Sequence, residues 1–182
     1  MAADYYDYLI ADPVMIPKES QQHYAEKIVY LPSFQVNDSK DLPPEIILSR
    51  EDVGLPETGF VFCCFNNTWK ITPTVFDSWA KILDVVEASV LLIYIDNKTA
   101  EKNLINEIKS RGIDSKRVIF ADRYERPEYL ARYRVADLFL DTHPYNAGTT
   151  ASDALKMGLP MLTMIGQSYQ ARMGASILTS IN

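Results

Sequence analysis

Five short apolar runs recur between residues 60 and 164, and stretches with helical punctuation follow them. This alternation constrains the fold more than any other feature of the sequence. The runs are FVFCCF (60–65), SVLLIYI (89–95), RVIFA (117–121), ADLFLD (136–141) and PMLTM (160–164). None shows the strict apolar–polar alternation of a strand with one wet face. Continuously apolar strands are buried on both faces, which is the pattern of a parallel sheet covered by helices. Thr72-Pro73 opens the first helical stretch, with Pro at an early position where its missing N–H costs little. Gly112 closes the second and Gly158 the fourth. The third, RPEYLARYRV, has Pro127 near its start, and SYQARMGASILTS (168–180) reads as a final helix. The predicted class is α/β, a Rossmann-like parallel sheet with helices on both faces. Ligands of such sheets bind beyond the carboxyl ends of the strands.

Residues 1–58 follow a different regime. YDYLIADP predicts a short strand and PKESQQHYAEKIVY a helix. The stretch LPSFQVNDSKDLPPEIILSREDVGLPE is rich in Pro and Asp, has weak periodicity, and reads as a connector. One strand and one helix bury too little surface to stand alone, so this part is expected to complete something else. The predicted division is 1–58 and 59–182.

Charge narrows the partners. The net charge of the 182-residue chain is −6 and its pI about 4.9, which argues against polymeric nucleic acid. The distribution is uneven, however. Residues 1–58 carry eleven acidic and four basic side chains, whereas residues 109–134 hold eight of the eighteen Lys and Arg against four acids. A local basic segment suits a small anion better than a polymer, the alternative being a solvated face. Cys63 and Cys64 are adjacent and point to opposite faces of a strand, which gives neither a disulfide framework nor metal spacing. Free buried thiols fit a reducing compartment, so a cytoplasmic location is expected. The longest apolar runs are far too short to span a bilayer, and Met1–Tyr8 lacks the features of a signal peptide.

No glycine-rich dinucleotide fingerprint, phosphate-binding P-loop or nucleophile elbow is present. His23, His143 and the two thiols make no zinc set, so neither a metal nor a cofactor is expected. His143 lies in a strand-end loop beside Pro144, where a structural role is the simpler reading. Three strand-end groups remain. Asn66 to Lys70 directly follow the first run, and Lys70 can point an ammonium into a cleft, unless it is merely solvated. In DRYERPEYLAR, Tyr129 and Arg132 are three apart on a helix and share a face. An aromatic beside guanidinium groups can sandwich a flat base, or the two can simply coat a helix. In NAGTTASD, Thr149 and Thr150 open a helix whose N–H groups and dipole favour a phosphate. Asp153, four residues beyond Thr149, would repel phosphate but could accept from ribose hydroxyls. Together these groups supply a cation, a base platform, an anion nest and a ribose acceptor along one sheet edge.

FVFCCFNNTWKITPTVFDSWAKIL, ADLFLDTHPYNAGTTASDALKMGLPMLTM and DYLIADPVMIP with YAEKIVYLP resemble the protein O-GlcNAc transferase family, including its bacterial members that follow tetratricopeptide repeats. The resemblance covers nearly the whole chain, with its motifs in family order. It implies a two-lobed GT-B glycosyltransferase fold, an inverting mechanism and a UDP-sugar donor. Residues 59–182 would be the C-terminal, nucleotide-sugar-binding lobe, truncated at its end, and residues 1–58 the end of the N-terminal lobe plus the connector. It further implies that Lys70 holds the donor diphosphate and Asn67 is a nearby polar contact. Tyr124, Arg126, Tyr129 and Arg132 would surround the uracil, Tyr129 standing where the best-known members have a stacking His. Gly148, Thr149 and Thr150 would form the phosphate-binding helix start, and Asp153 would accept from the ribose. The family often has His at the Gly148 position, so one contact is missing here. The general base, the acceptor-binding residues and the substrate-binding repeats of the family precede this segment. The chain is therefore expected to be a fragment, inactive alone, of an enzyme that moves GlcNAc from UDP-GlcNAc to Ser/Thr of a protein acceptor. A GDP-fucose-using relative, a GT-B enzyme acting on small molecules or lipids, a sugar-nucleotide epimerase and a non-catalytic nucleotide-sugar-binding module are the alternatives.

Overall fold

The structure, a computed structural model, describes residues 5–35, 40–41 and 43–181. Five strands form a wholly parallel sheet: β3 (Phe60–Cys64), β4 (Ser89–Tyr94), β5 (Val118–Ala121), β6 (Leu138–Leu140) and β7 (Met161–Leu162). They follow β1 (Tyr8–Ala11) and β2 (Lys27–Tyr30), which pair in a separate parallel ribbon. The order in the large sheet is β5-β4-β3-β6-β7. The chain steps outward from β3 through β4 to β5, then returns to the other side of β3. Right-handed crossovers then set α1 (Pro73–Val85) and α2 (Lys98–Ser110) on one face and α4 (Thr149–Lys156) on the other. The short α3 (Arg126–Ala131) carries the return. Between β3 and β6 the loops leaving the strand ends diverge, and a crevice opens there.

The core explains why the strands read as continuously apolar. Val61, Cys63, Leu91, Leu92, Ile93 and Phe139 are fully enclosed between the two helical layers. Thr72 caps α1 by accepting from the Val75 N–H, with Pro73 at the first helical position. The face Val75, Phe76, Trp79, Ala80 and Leu83 is buried against the sheet. Asn97 caps α2 in the same way, through the Ala100 N–H.

In the N-terminal region, PKESQQHYAEKIVY does not form the helix expected of it. Lys18–His23 makes a 3-10 turn with no buried residue, and Lys27–Tyr30 is a strand. The first half has no apolar stripe to bury, so nothing extends the turn into an α-helix. The second half carries the strand-favouring Ile28-Val29-Tyr30 and pairs with β1. This ribbon rests on α5 (Met173–Ser180) through Ala11, Met15, Ile16, Tyr169 and Met173. Asp12 fastens the contact: its buried carboxylate accepts from the Val14, Met15 and Phe34 N–H groups and from the Ser176 hydroxyl. Among the described residues no helix is long and apolar enough to cross a membrane.

Candidate functional site

The crevice between β3 and β6 brings together Lys70, Gly148 and Thr149 of the residues singled out above. After β3 the chain makes a 3-10 turn, Thr68–Lys70, that brings Lys70 back over the sheet edge. Lys70 is half-buried. Its ammonium donates to the Asn146 carbonyl at 3.0 Å and lies 4.3 Å from the centre of the Tyr145 ring. Burial pulls its pKa below the usual lysine value, with the Asp141 carboxylate opposing the shift. Lys70 lines a cavity of about 300 Å³ with Gln35, Tyr145, Gly148, Thr149 and Gln170. Asn67, by contrast, is exposed, and its side chain does not cap the turn it begins.

The N-terminus of α4 faces the same cavity. Gly148 is its N-cap and supplies no side-chain acceptor, so the first-turn N–H groups have no side-chain cap. A Cβ at Gly148 would meet Met173 and Gln35 only at ordinary contact distances of 3.8 and 3.9 Å, which leaves room for a larger residue. Thr149 is exposed at the cavity wall. Thr150 turns the other way, and its hydroxyl donates to Asn66 Oδ1 at 2.5 Å. An anion at this helix end would therefore meet the Thr149 side chain, backbone N–H groups and the Lys70 ammonium.

On the other side of α4 lie the remaining candidates. Asp153 is buried and accepts two 2.8 Å hydrogen bonds from the Arg126 guanidinium. Asp41, on the connector, bridges Arg126 and Lys156 at 2.6 and 3.0 Å. The Tyr129 hydroxyl shares a 2.6 Å hydrogen bond with that of Tyr133, which donates to the Thr150 carbonyl. Burial raises the Tyr129 pKa. Arg132 is enclosed, only 1% exposed, with its guanidinium 4.0 Å from the Phe65 ring centre and about as far from Tyr124 (5.3 Å) as from Tyr129 (5.4 Å). Its guanidinium donates to the Asp122 carbonyl at 2.6 Å. The aromatic–guanidinium cluster expected from DRYERPEYLAR thus exists, but the protein's own rings fill it. Arg126 and Tyr124 stay at the rim, while Arg132 braces the loop behind them.

Sequence reasoning passed over three supporting residues. Asn66 and Asp141 lie under the helix start, and Tyr133 links α3 to α4. The signal for Asp141 was its place at the end of ADLFLD, where a strand-end carboxylate enters the crevice. Its carboxylate accepts from the Thr142 and Ala147 N–H groups, both at 2.7 Å, and from the Thr163 hydroxyl at 2.6 Å. Burial raises its pKa against the pull of these hydrogen bonds. His143, set aside as structural, lies in the loop after β6, and its carbonyl accepts from the Thr72 hydroxyl that caps α1.

Known proteins resemble this chain in sequence and fold. The chain is 34% identical over 181 residues to a protein of Arabidopsis thaliana named probable UDP-N-acetylglucosamine–peptide N-acetylglucosaminyltransferase SEC. That alignment covers 96% of this chain and 18% of the relative. It is also 34% identical over 143 residues to the UDP-N-acetylglucosamine–peptide N-acetylglucosaminyltransferase of Caenorhabditis elegans, covering 78% of this chain and 12% of that one. The chain thus spans under a fifth of the length of these relatives. The solved structure of the Thermobaculum terrenum O-GlcNAc transferase superposes with a TM-score of 0.82 at 32% identity, over 94% of this chain and 32% of that one. HepE of Anabaena, solved in complex with UDP, shares the fold at 16% identity and a TM-score of 0.54, over 96% of this chain and 53% of its own. The α/β sheet is therefore that of GT-B glycosyltransferases. Residues 35–182 match the family described as glycosyl transferase family 41, and the chain belongs to that family.

Proposed function

We propose that this chain is the donor-binding part of an inverting glycosyltransferase that moves GlcNAc from UDP-GlcNAc to Ser/Thr hydroxyls of proteins. The observation that carries the reading is the convergence of the Lys70 ammonium and the uncapped start of α4 on one cavity. The names of the relatives support the sugar and the peptide acceptor. In glycosyl transfer the diphosphate leaves with growing negative charge. A fixed ammonium and oriented N–H groups stabilise that charge more in the transition state than in the ground state. Lys70, Thr149, the backbone at Gly148 and Thr150, and the exposed amide of Asn67 take this role. Asp153 accepts from the ribose while Arg126 fixes its carboxylate. Tyr124 and Tyr129 border the base, and Arg132 holds their loop. No metal or cofactor takes part in this account.

Residues 59–182 then act as the C-terminal lobe, and residues 1–58 as the end of the opposite lobe with the connector. The general base and the acceptor groove belong to the rest of the enzyme, which carries tetratricopeptide repeats and works in the cytoplasm. The buried free thiols support that compartment. The test is ligand-observed NMR on the purified chain with UDP, GDP and GlcNAc, followed by transfer from radiolabelled UDP-GlcNAc to a protein lysate. The expected result is UDP binding ahead of GDP and free sugar, with no transfer by the chain alone. Preference for GDP would move the donor to GDP-fucose. Transfer by the chain at a rate near that of the longer enzyme would place the base within these residues, with His143 the first candidate.

A further inference from the structure

Asn66 is buried beneath the helix start, and both ends of its side-chain amide are engaged. It is 1% exposed and sits just past the end of β3. Its Oδ1 accepts the Thr150 hydroxyl, and its Nδ2 donates to Thr142 Oγ1 at 2.8 Å and to Asp141 Oδ1 at 3.3 Å. Thr142 Oγ1 in turn donates to the Tyr145 carbonyl at 2.7 Å, and Asp141 Oδ1 accepts from the Ala147 N–H. A single amide therefore ties the end of β3 to the start of α4 and to the first residues of the 141–147 loop, which in turn hold its far end. That loop carries the Asn146 carbonyl on which the Lys70 ammonium rests.

The amide has one stable orientation. The Thr142 hydroxyl spends its hydrogen on the Tyr145 carbonyl, and the Asp141 carboxylate has none to give, so both demand a donor from Asn66. Nδ2 must face them and Oδ1 must face Thr150. The Thr150 hydroxyl is thereby committed inward. Its contribution to an anion is its backbone N–H, held in place by its side chain.

We infer that Asn66 is a positioning residue for the donor diphosphate: acting through Thr150 and the 141–147 loop, it sets the helix start and the Lys70 ammonium in their anion-binding arrangement. This rests on the donor-site reading above and adds to it the residue that presets the phosphate subsite. Asn66 touches no ligand itself. Aspartate at position 66 would be isosteric but would set a carboxylate against that of Asp141, so Asn66→Asp should disturb the site as much as Asn66→Ala.

The test is calorimetric titration of UDP and uridine into the wild-type chain, Asn66→Ala, Thr150→Val, Thr150→Ser and the Asn66→Ala/Thr150→Val double variant. Circular dichroism checks the fold of each. Leaving buried partners unpaired should weaken UDP about tenfold or more in Asn66→Ala, with uridine affected far less. Thr150→Val should lose UDP affinity too, and Thr150→Ser should retain it. The double variant should bind no worse than Asn66→Ala, because both changes cut one linkage. Additive losses would mean that the Thr150 hydroxyl contacts phosphate directly, and wild-type UDP affinity in folded Asn66→Ala would remove the role altogether; either result overturns the inference. If Asn66→Ala does not fold, the contrast between Thr150→Val and Thr150→Ser decides. The amide resonances of Thr142 and Ala147 in the ligand-free chain are expected to move in Thr150→Val and not in Thr150→Ser, and their failure to move also overturns it. This readout needs no nucleotide. A wild-type chain that ignores UDP but shows these shifts would contradict the donor-site reading and leave the positioning of the helix start by Asn66 standing.

Discussion

At the proposed phosphate end of the donor site, Lys70 rests on a neutral carbonyl and the first turn of α4 has no side-chain cap. At the nucleoside end, Arg126 and Asp153 already hold each other in a two-bonded ion pair, and Asp41 adds a second carboxylate to the same guanidinium. Among the described residues Lys70 forms no ion pair, so the first end can take an anion without breaking one. The second is satisfied within the protein, so neutral ribose hydroxyls must share partners there. Exchanging a carbonyl for a phosphate oxygen strengthens a charge-assisted contact, whereas sharing an ion pair with hydroxyls gains little. The difference teaches that affinity should come from the phosphate end, and discrimination of the nucleoside from the other.

The largest effect should follow from removing the free cation. Lys70→Ala is expected to lose about 1.5–3 kcal/mol of UDP affinity while uridine changes little. The loss should shrink as salt rises, because the site is open on one side. Burial lowers the pKa of Lys70, so UDP affinity should fall, as pH rises, earlier than an exposed lysine would dictate. Calorimetry over a pH series reads both. Equal losses for UDP and uridine in Lys70→Ala would break the comparison.

Asp153→Ala comes next. It removes a ribose acceptor and leaves Arg126 without its buried partner, for an expected loss of about 1–2 kcal/mol on uridine and UDP alike. A loss confined to UDP would show that Asp153 serves the phosphate end. A smaller effect is expected from Asp41→Ala. Its pairs with Arg126 and Lys156 are only partly buried at the surface, and such pairs contribute little. Thermal unfolding should barely shift, and nucleotide affinity should hold or rise slightly as Arg126 is released. Marked weakening would mean that the connector is part of the binding surface.

The smallest expected effect sharpens the comparison from below. Cys63 and Cys64 lie under the crevice, and burial pushes the Cys64 thiol up to about 12. Neither should react with a thiol reagent at neutral pH until the chain unfolds. Rapid labelling of the folded chain would show that the floor shared by both ends is open.

Much of the frame was legible in the sequence because burial on both faces leaves a plain signature. β3, β4 and β5 lie within FVFCCF, SVLLIYI and RVIFA, and Thr72-Pro73 and Gly112 mark real helix limits. Ends that depend on tertiary contacts were not legible. PMLTM yields only Met161–Leu162 as strand, because its partner β6 ends at Leu140. RPEYLARYRV is α-helical only to Ala131 and tightens into a 3-10 turn as Arg132 packs inward. At the site, Lys70 and the helix start were visible as residue types at strand ends. Asn66 was not, since the neighbouring Asn67 is the same residue type, and only the tertiary contacts with Thr142 and Thr150 distinguish the buried one.

The central claim, that the diphosphate sits on the α4 helix start beside Lys70, is tested most directly by amide chemical shifts of the isotope-labelled chain titrated with UDP and with uridine. The account predicts that the amides of Thr149, Thr150, Ala151 and Lys70 move with UDP and stay nearly still with uridine, while those around Arg126 and Asp153 move with both. Phosphate-dependent shifts that fall elsewhere, with Thr149 to Ala151 unmoved, would contradict it.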